Sequence, residues 1–296
     1  MSFRLSAAGA SRRRFLQISG LFLAIATALP VGLAAVANPA SAEPLTLDAI
    51  KKAGVVRVGV EASYRPFTFR DDSGKIVGYD LDLAEQIFKP LGVKVEFVDT
   101  AWAGVIPALY AGNFDVIMTS LTYTKERVAK VGYSIPYTEA TQEMLIRASD
   151  ADTIKNLDGM AGKILGVKLG SAGDTMKTKL EEKLKADTGK GFAEVKTYDD
   201  HPAAYLALSQ GSVDGVINSL ATLTQVVKDA PGKYAIVRDI GPRNWAGIGT
   251  RKEDTQLIDF LNERIEALKA NGEIYKLQEK WFGTRMKLSD KIPDFS

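Results

Sequence analysis

The 296-residue chain has no cysteine and one histidine, His201. Without a thiol there is no disulfide, no thiolate metal or iron–sulfur site, no cysteine nucleophile and no lipid-modified N-terminal cysteine. A single histidine leaves little material for a histidine-built metal site or a Ser-His-Asp triad. His201-Pro202 reads as a helix start carrying an ordinary surface histidine. Phosphate loops, haem motifs and metal clusters are also missing, so no cofactor is expected. A chain of this length can bury a core without crosslinks, so the lack of cysteine is compatible with an oxidising compartment.

Acidic residues are absent from the first 42 positions, which hold Arg4, Arg12, Arg13 and Arg14. An apolar run from Ile18 to Ala37, broken by Pro30 and glycines, follows this basic start, and Ala40-Ser41-Ala42 ends it. That layout is a secretory signal peptide cleaved after Ala42, which places the mature protein in the periplasm. Ser11-Arg12-Arg13-Arg14-Phe15-Leu16-Gln17 resembles the twin-arginine export motif, an address rather than an anchor. The apolar run is long enough for a membrane helix, but Pro30, the glycines and the small-residue ending oppose that reading. Loss of the leader keeps 34 of the 38 basic residues against all 36 acidic ones, a net charge of −2. No basic excess remains for nucleic-acid binding.

The remainder has an ordinary globular composition, with 46% hydrophobic and 25% charged residues over the whole chain. Short β-rich runs alternate with helical stretches, the pattern of an α/β fold. A strand at 55–60, a helix at 79–91, a strand at 93–98, a helix at 102–110 and a strand at 114–118 form one βαβαβ block. After a change of texture near Arg147, a strand at 163–167, a helix at 172–187, a strand at 193–198, a helix at 202–210 and a strand at 214–218 form a second. An apolar strand at 245–250, an amphipathic helix at 255–271 and a last helix ending at Trp281-Phe282-Gly283 complete the chain. Two similar blocks suggest two lobes.

Four segments make the pattern specific. They are Val58-Gly59-Val60-Glu61-Ala62-Ser63-Tyr64-Arg65-Pro66-Phe67 with Gly78-Tyr79-Asp80-Leu81-Asp82-Leu83-Ala84; Ile106-Pro107-Ala108-Leu109 through Phe114-Asp115-Val116-Ile117; Leu121-Thr122-Tyr123-Thr124-Lys125-Glu126-Arg127; and Lys280-Trp281-Phe282-Gly283. With these, in this order, the chain resembles the periplasmic solute-binding proteins of family 3, the amino-acid receptors of ABC importers. The resemblance implies a two-lobe, type II periplasmic-binding-protein fold with two crossover strands as hinge. Lobe 1 is expected at 43–140 plus 239–296 and lobe 2 at 141–238. It also implies a monomer that closes on an amino acid or related carboxylate and delivers it to the membrane subunits of an ABC importer.

Arg127 matches the family's carboxylate-binding arginine, five positions after Thr122 in what reads as the same loop; a planar guanidinium makes two parallel charge-assisted bonds to a carboxylate. Thr122 and Ser120 match ligand-contacting positions. Across the expected cleft, Ser171 and Ala172 open a helix whose free N–H groups suit the same carboxylate. Tyr64 and Trp102 match the aromatic walls. The family usually holds the ligand ammonium with an aspartate five residues after the Asp of its Gly-x-x-Asp segment. Here Gly211-Ser212-Val213-Asp214 is followed at that spacing by Ser219, preceded by Asn218, and neither carries charge. Glu61 is then the carboxylate left for an ammonium, or the ligand is not a standard α-amino acid. The alternative from another class is a periplasmic enzyme on the same fold, a cyclohexadienyl or prephenate dehydratase, with Glu61 as its acid.

Overall fold

A computed structural model describes residues 44–295, so the leader lies outside the described residues. Two sheets organise the chain. In the first, Val55–Val60 pairs in parallel with Lys94–Asp99 on one side and Val116–Thr122 on the other. In the second, Ile164–Lys168 pairs in parallel with Glu194–Tyr198 and Gly215–Ser219. Each is the expected βαβαβ block.

Each parallel set is extended by an antiparallel strand. Trp245–Thr250, far along the chain, joins Val116–Thr122 of the first sheet. Gln142–Arg147 and Tyr234–Val237 add to the second. The chain therefore leaves the first sheet after Thr138–Glu139 and returns with Trp245–Thr250, giving the two crossovers of a two-lobe type II fold. A small three-stranded sheet, built from Ser63–Tyr64, Thr68–Arg70 and Ile76–Val77, flanks the first lobe.

The first block's third strand runs from Val116 to Thr122 rather than over 114–118. Every residue in it is buried, because Val55–Val60 covers its beginning and Trp245–Thr250 its end. Ser120 and Thr122 thus stand on a strand end, and only Arg127 is on a separate element, the helix Lys125–Lys130. The expected helix at 79–91 is α-helical over Tyr79–Phe88 and tightens to a 3-10 turn over Lys89–Leu91, where Pro90 removes a backbone donor. Gly78, at φ 144°, precedes it; a Cβ there would lie 2.1 Å from the Phe67 carbonyl oxygen, so only glycine fits.

Apolar clusters lock the sheets to their helices. Val56, Val58 and Val60 pack with Leu83, Ile87 and Leu261 in the first lobe; Leu165 and Val167 pack with Leu184 and Ile217 in the second. Burial of such side chains is favourable by about 25 cal/mol per Å2 of apolar surface removed from water.

Candidate ligand-binding site

In an open α/β sheet the parallel strands end together, and the crevice beyond their carboxyl ends is where ligands sit. Here two such crevices face one another. Glu61 follows Val60, Ser120 and Thr122 end the next strand, Lys168 ends Ile164–Lys168, and Asn218 lies near the end of Gly215–Ser219. With Tyr64, Trp102, Arg127, Ser171 and Ala172 they line one shared cavity. Nine of the ten residues expected at the site therefore converge on one space. Ser219 is the exception, and it lies directly behind.

Arg127 is held from three directions. Nη1 donates to the Thr122 carbonyl at 2.9 Å, Nη2 donates to the Gly170 carbonyl of the opposite lobe at 2.6 Å, and the guanidinium lies 4.8 Å from the Trp102 ring centre. Those two bonds use two of its five N–H donors, leaving a fork for a carboxylate. Thr124 fixes the helix that carries it by accepting the Arg127 N–H at 3.2 Å.

The opposing helix, Ala172–Thr188, starts at the cavity wall. The Ser171 N–H itself donates to the Lys168 carbonyl at 3.0 Å. Its hydroxyl accepts the Asp174 N–H at 3.1 Å, and its carbonyl accepts the Thr175 N–H. Ser171 is thus the cap, and the orphan donors of the first turn are the amides of Ala172 and Gly173.

Glu61 is already engaged. Its carboxylate pairs with the Lys168 ammonium across the cleft, and both side chains are under 10% exposed. Burial lowers the Lys168 pKa, against the pull of Glu61. Lys168 also lies 4.7 Å from the Trp102 ring centre and 5.7 Å from that of Tyr64, so part of the aromatic wall already faces the protein's own cations. Nothing at the sequence level placed Lys168 here. The available signal was a charged residue closing the apolar strand just before Gly170-Ser171-Ala172.

Tyr64 crosses the cleft as well. Its hydroxyl donates toward Asn218 Oδ1 and Ser219 Oγ, at 3.0 and 3.1 Å, and burial pushes its pKa up to about 12. Asn218 Nδ2 donates to the Tyr205 hydroxyl, and its Oδ1 accepts the Ser219 N–H. Ser219 caps the helix Leu220–Asp229 and is fully buried. The two neutral residues at the place of the family's aspartate thus satisfy one another and their neighbours.

His201 is not the surface residue expected. It is 5% exposed, lines the cavity, and stacks between Tyr64 and Tyr205 at 5.6 and 6.0 Å. Burial, reinforced by Lys168, drops its pKa well below the usual imidazole range, so the ring is neutral near pH 7, and Nε2 has no hydrogen-bond partner among the described residues. Gln142, also missed, reaches the cavity from the crossover strand, with Nε2 donating to the Ala140 carbonyl at 2.8 Å. Neither local sequence carries a signal, because each position is defined by residues from the other side of the cleft. Among the described residues, no group of three or more histidines and carboxylates could hold a metal, and no helix is long and apolar enough to cross a membrane.

Two lobes meeting over a cavity with an arginine fork, an opposed helix start and aromatic walls define a receptor for a small carboxylate-bearing solute. The chain belongs to the bacterial extracellular solute-binding proteins, family 3, whose pattern matches residues 56–284. It is 32% identical over 237 residues to the L-cystine-binding protein TcyJ of Escherichia coli strain K12, covering 80% of this chain and 86% of TcyJ. ABC transporter arginine-binding protein 1 of the same strain is 28% identical over 233 residues, 77% of this chain and 90% of that protein. A solved structure of an ancestral amino-acid-binding protein, AncCDT-1, described as a precursor of cyclohexadienyl dehydratase, is 33% identical. It superposes with a TM-score of 0.70 and covers 80% of this chain and 98% of that one. All three are binding proteins, and so is this chain; the dehydratase alternative is left with a neighbour that itself binds amino acids.

Proposed function

We propose that the protein captures an amino acid or amino-acid-like carboxylate between its lobes and hands it to an ABC importer. Arg127 and the amides of Ala172 and Gly173 grip the ligand carboxylate from opposite sides. Tyr64 and Trp102 flank its body, Ser120 and Thr122 offer hydroxyls, and Glu61, Ser171 and Asn218 complete the wall, with Ser219 holding Asn218 and Tyr64 in place. The observation that carries this reading is the bond from Arg127 to Gly170, which brings a cationic fork on one lobe against the residue preceding the helix start on the other.

Closure moves lobe 1, residues 43–140 plus 239–296, against lobe 2, residues 141–238, about the two crossovers. Residues 1–42 are a twin-arginine leader removed after Ala42, and the mature protein works in the periplasm as a monomer. Support for export is the basic start, the apolar run and the Ala40-Ser41-Ala42 ending. A thermal-shift screen of the purified mature protein against amino acids and organic acids tests the receptor role: ligands that bind only the folded state raise the melting temperature by mass action. Turnover of prephenate by the same preparation, with no stabilising ligand in the screen, would sink it.

A further inference from the structure

The cavity's charged groups are few, and they do not cancel. Arg127 and Lys168 bring two positive charges and Glu61 brings one negative. The remaining polar lining is neutral: Asn218 replaces the expected carboxylate, Gln142 is an amide, and His201 is uncharged. Lys168 and Glu61 pair with each other, so the Glu61 charge is already compensated and does not balance a ligand ammonium unless Lys168 gains another anion. Among the described residues, the one hydrogen-bond acceptor of the Lys168 ammonium is Glu61, and an ammonium has three donors.

We propose, on the receptor reading above, that the cleft selects solutes of net charge −1 and that Lys168 sets this selection. In a closed cleft with little water, charge left without a counter-charge is costly. A solute of charge −1 completes the set. A zwitterionic amino acid leaves one cation over, and a cationic amino acid leaves two. Two kinds of solute meet the requirement. An acidic amino acid places one carboxylate on Arg127, its ammonium on Glu61 and its second carboxylate on the released Lys168. A carboxylate without an ammonium leaves the Lys168–Glu61 pair intact and presents a neutral N–H or O–H group. Ser120 and His201 both line the cavity, and Ser120 Oγ and His201 Nε2 have no hydrogen-bond partner among the described residues. With its proton on Nδ1, the neutral imidazole leaves Nε2 as an acceptor.

Calorimetry on the mature protein with L-glutamate, L-glutamine, N-acetyl-L-alanine, L-arginine and L-cystine tests the inference. L-glutamate and L-glutamine are nearly isosteric, so their ratio reads charge. At least one of the two anions, L-glutamate or N-acetyl-L-alanine, is expected to bind about tenfold or more tighter than every neutral or cationic member, a factor equal to about 1.4 kcal/mol. Which anion leads distinguishes the two kinds of solute.

Lys168→Met brings the cavity sum to zero and should abolish the preference for the anion. Where N-acetyl-L-alanine leads, the double variant Lys168→Met/Glu61→Gln returns the sum to +1 and should restore the preference without the lysine; where L-glutamate leads, it should not, because both partners of the ligand are gone. Far-UV circular dichroism confirms the fold of each. Tightest binding of L-glutamine, L-cystine or L-arginine, or an anion preference unaltered by Lys168→Met, overturns the inference and leaves the receptor reading standing. No binding by any of the five overturns the inference, and the thermal-shift screen above then tests the receptor reading separately.

Discussion

The Arg127 guanidinium donates to the Gly170 carbonyl at 2.6 Å, joining a side chain of one lobe to the backbone of the other just before the capped start of Ala172–Thr188. The fork that receives a ligand carboxylate is therefore also part of the contact between the lobes. Loss of Arg127 removes both.

Arg127→Ala is expected to weaken binding of any carboxylate ligand by about 2–5 kcal/mol, because a desolvated charge loses its partner. Arg127→Lys should recover only part of this, since an ammonium is a point charge without the planar fork. Titration calorimetry with the tightest solute from the screen measures both variants, and unchanged affinity in Arg127→Ala would remove the residue from the site.

Gly173 lets the helix start lie close to the strand behind it. A Cβ at this position would come within 2.8 Å of Ile217 Cγ2 and 2.9 Å of Ile217 Cβ. Gly173→Ala should cost about 1–3 kcal/mol through overpacking, less the roughly 1 kcal/mol by which alanine favours a helix interior. It should also lower ligand affinity, as the amides of residues 172 and 173 shift. Gly104→Ala is the control, with nothing within 4 Å of the added carbon. Equal urea midpoints for the two variants would contradict this account.

Asp80 lies in the first lobe behind Ser120. Burial pushes its pKa up to about 7, against the pull of Tyr137, the Ser120 amide and Thr68. Because the folded value lies above the unfolded one, the unfolded chain ionises first as pH rises. The stability associated with protonated Asp80 is thus fully present below about pH 4 and is lost as pH climbs through 7. A shift of this size corresponds to roughly 4 kcal/mol. Asp80→Asn should flatten that part of the stability-against-pH curve in urea unfolding between pH 4 and 8; an unchanged slope would show that Asp80 does not titrate in this range.

Export through a twin-arginine leader predicts a mature N-terminus at Glu43 and retention of the precursor when Arg12 and Arg13 are both replaced by lysine. Mass spectrometry of the periplasmic fraction reads the first, and fractionation reads the second. A mature protein starting elsewhere, or one exported unchanged by the double variant, would count against that reading.

The amino-acid sequence alone determined the alternation of elements, and with it the α/β class and the two blocks, because hydrophobic periodicity and helix caps are local signals. It also determined Arg127 and Tyr64 as site candidates, since they lie within segments that carry the family resemblance, and Trp102, which matches the family's second aromatic wall. The tertiary structure alone decided that Glu61 faces Lys168, that Ser171 caps its helix while the amides of Ala172 and Gly173 stay free, and that His201 is buried beside Tyr64. The reason is physical: charge pairing, ring stacking and burial across a cleft join residues that neither periodicity nor turn chemistry connects. Gln142–Arg147 and Tyr234–Val237 escaped the sequence reading for the same reason, being strands defined by antiparallel partners in another part of the chain.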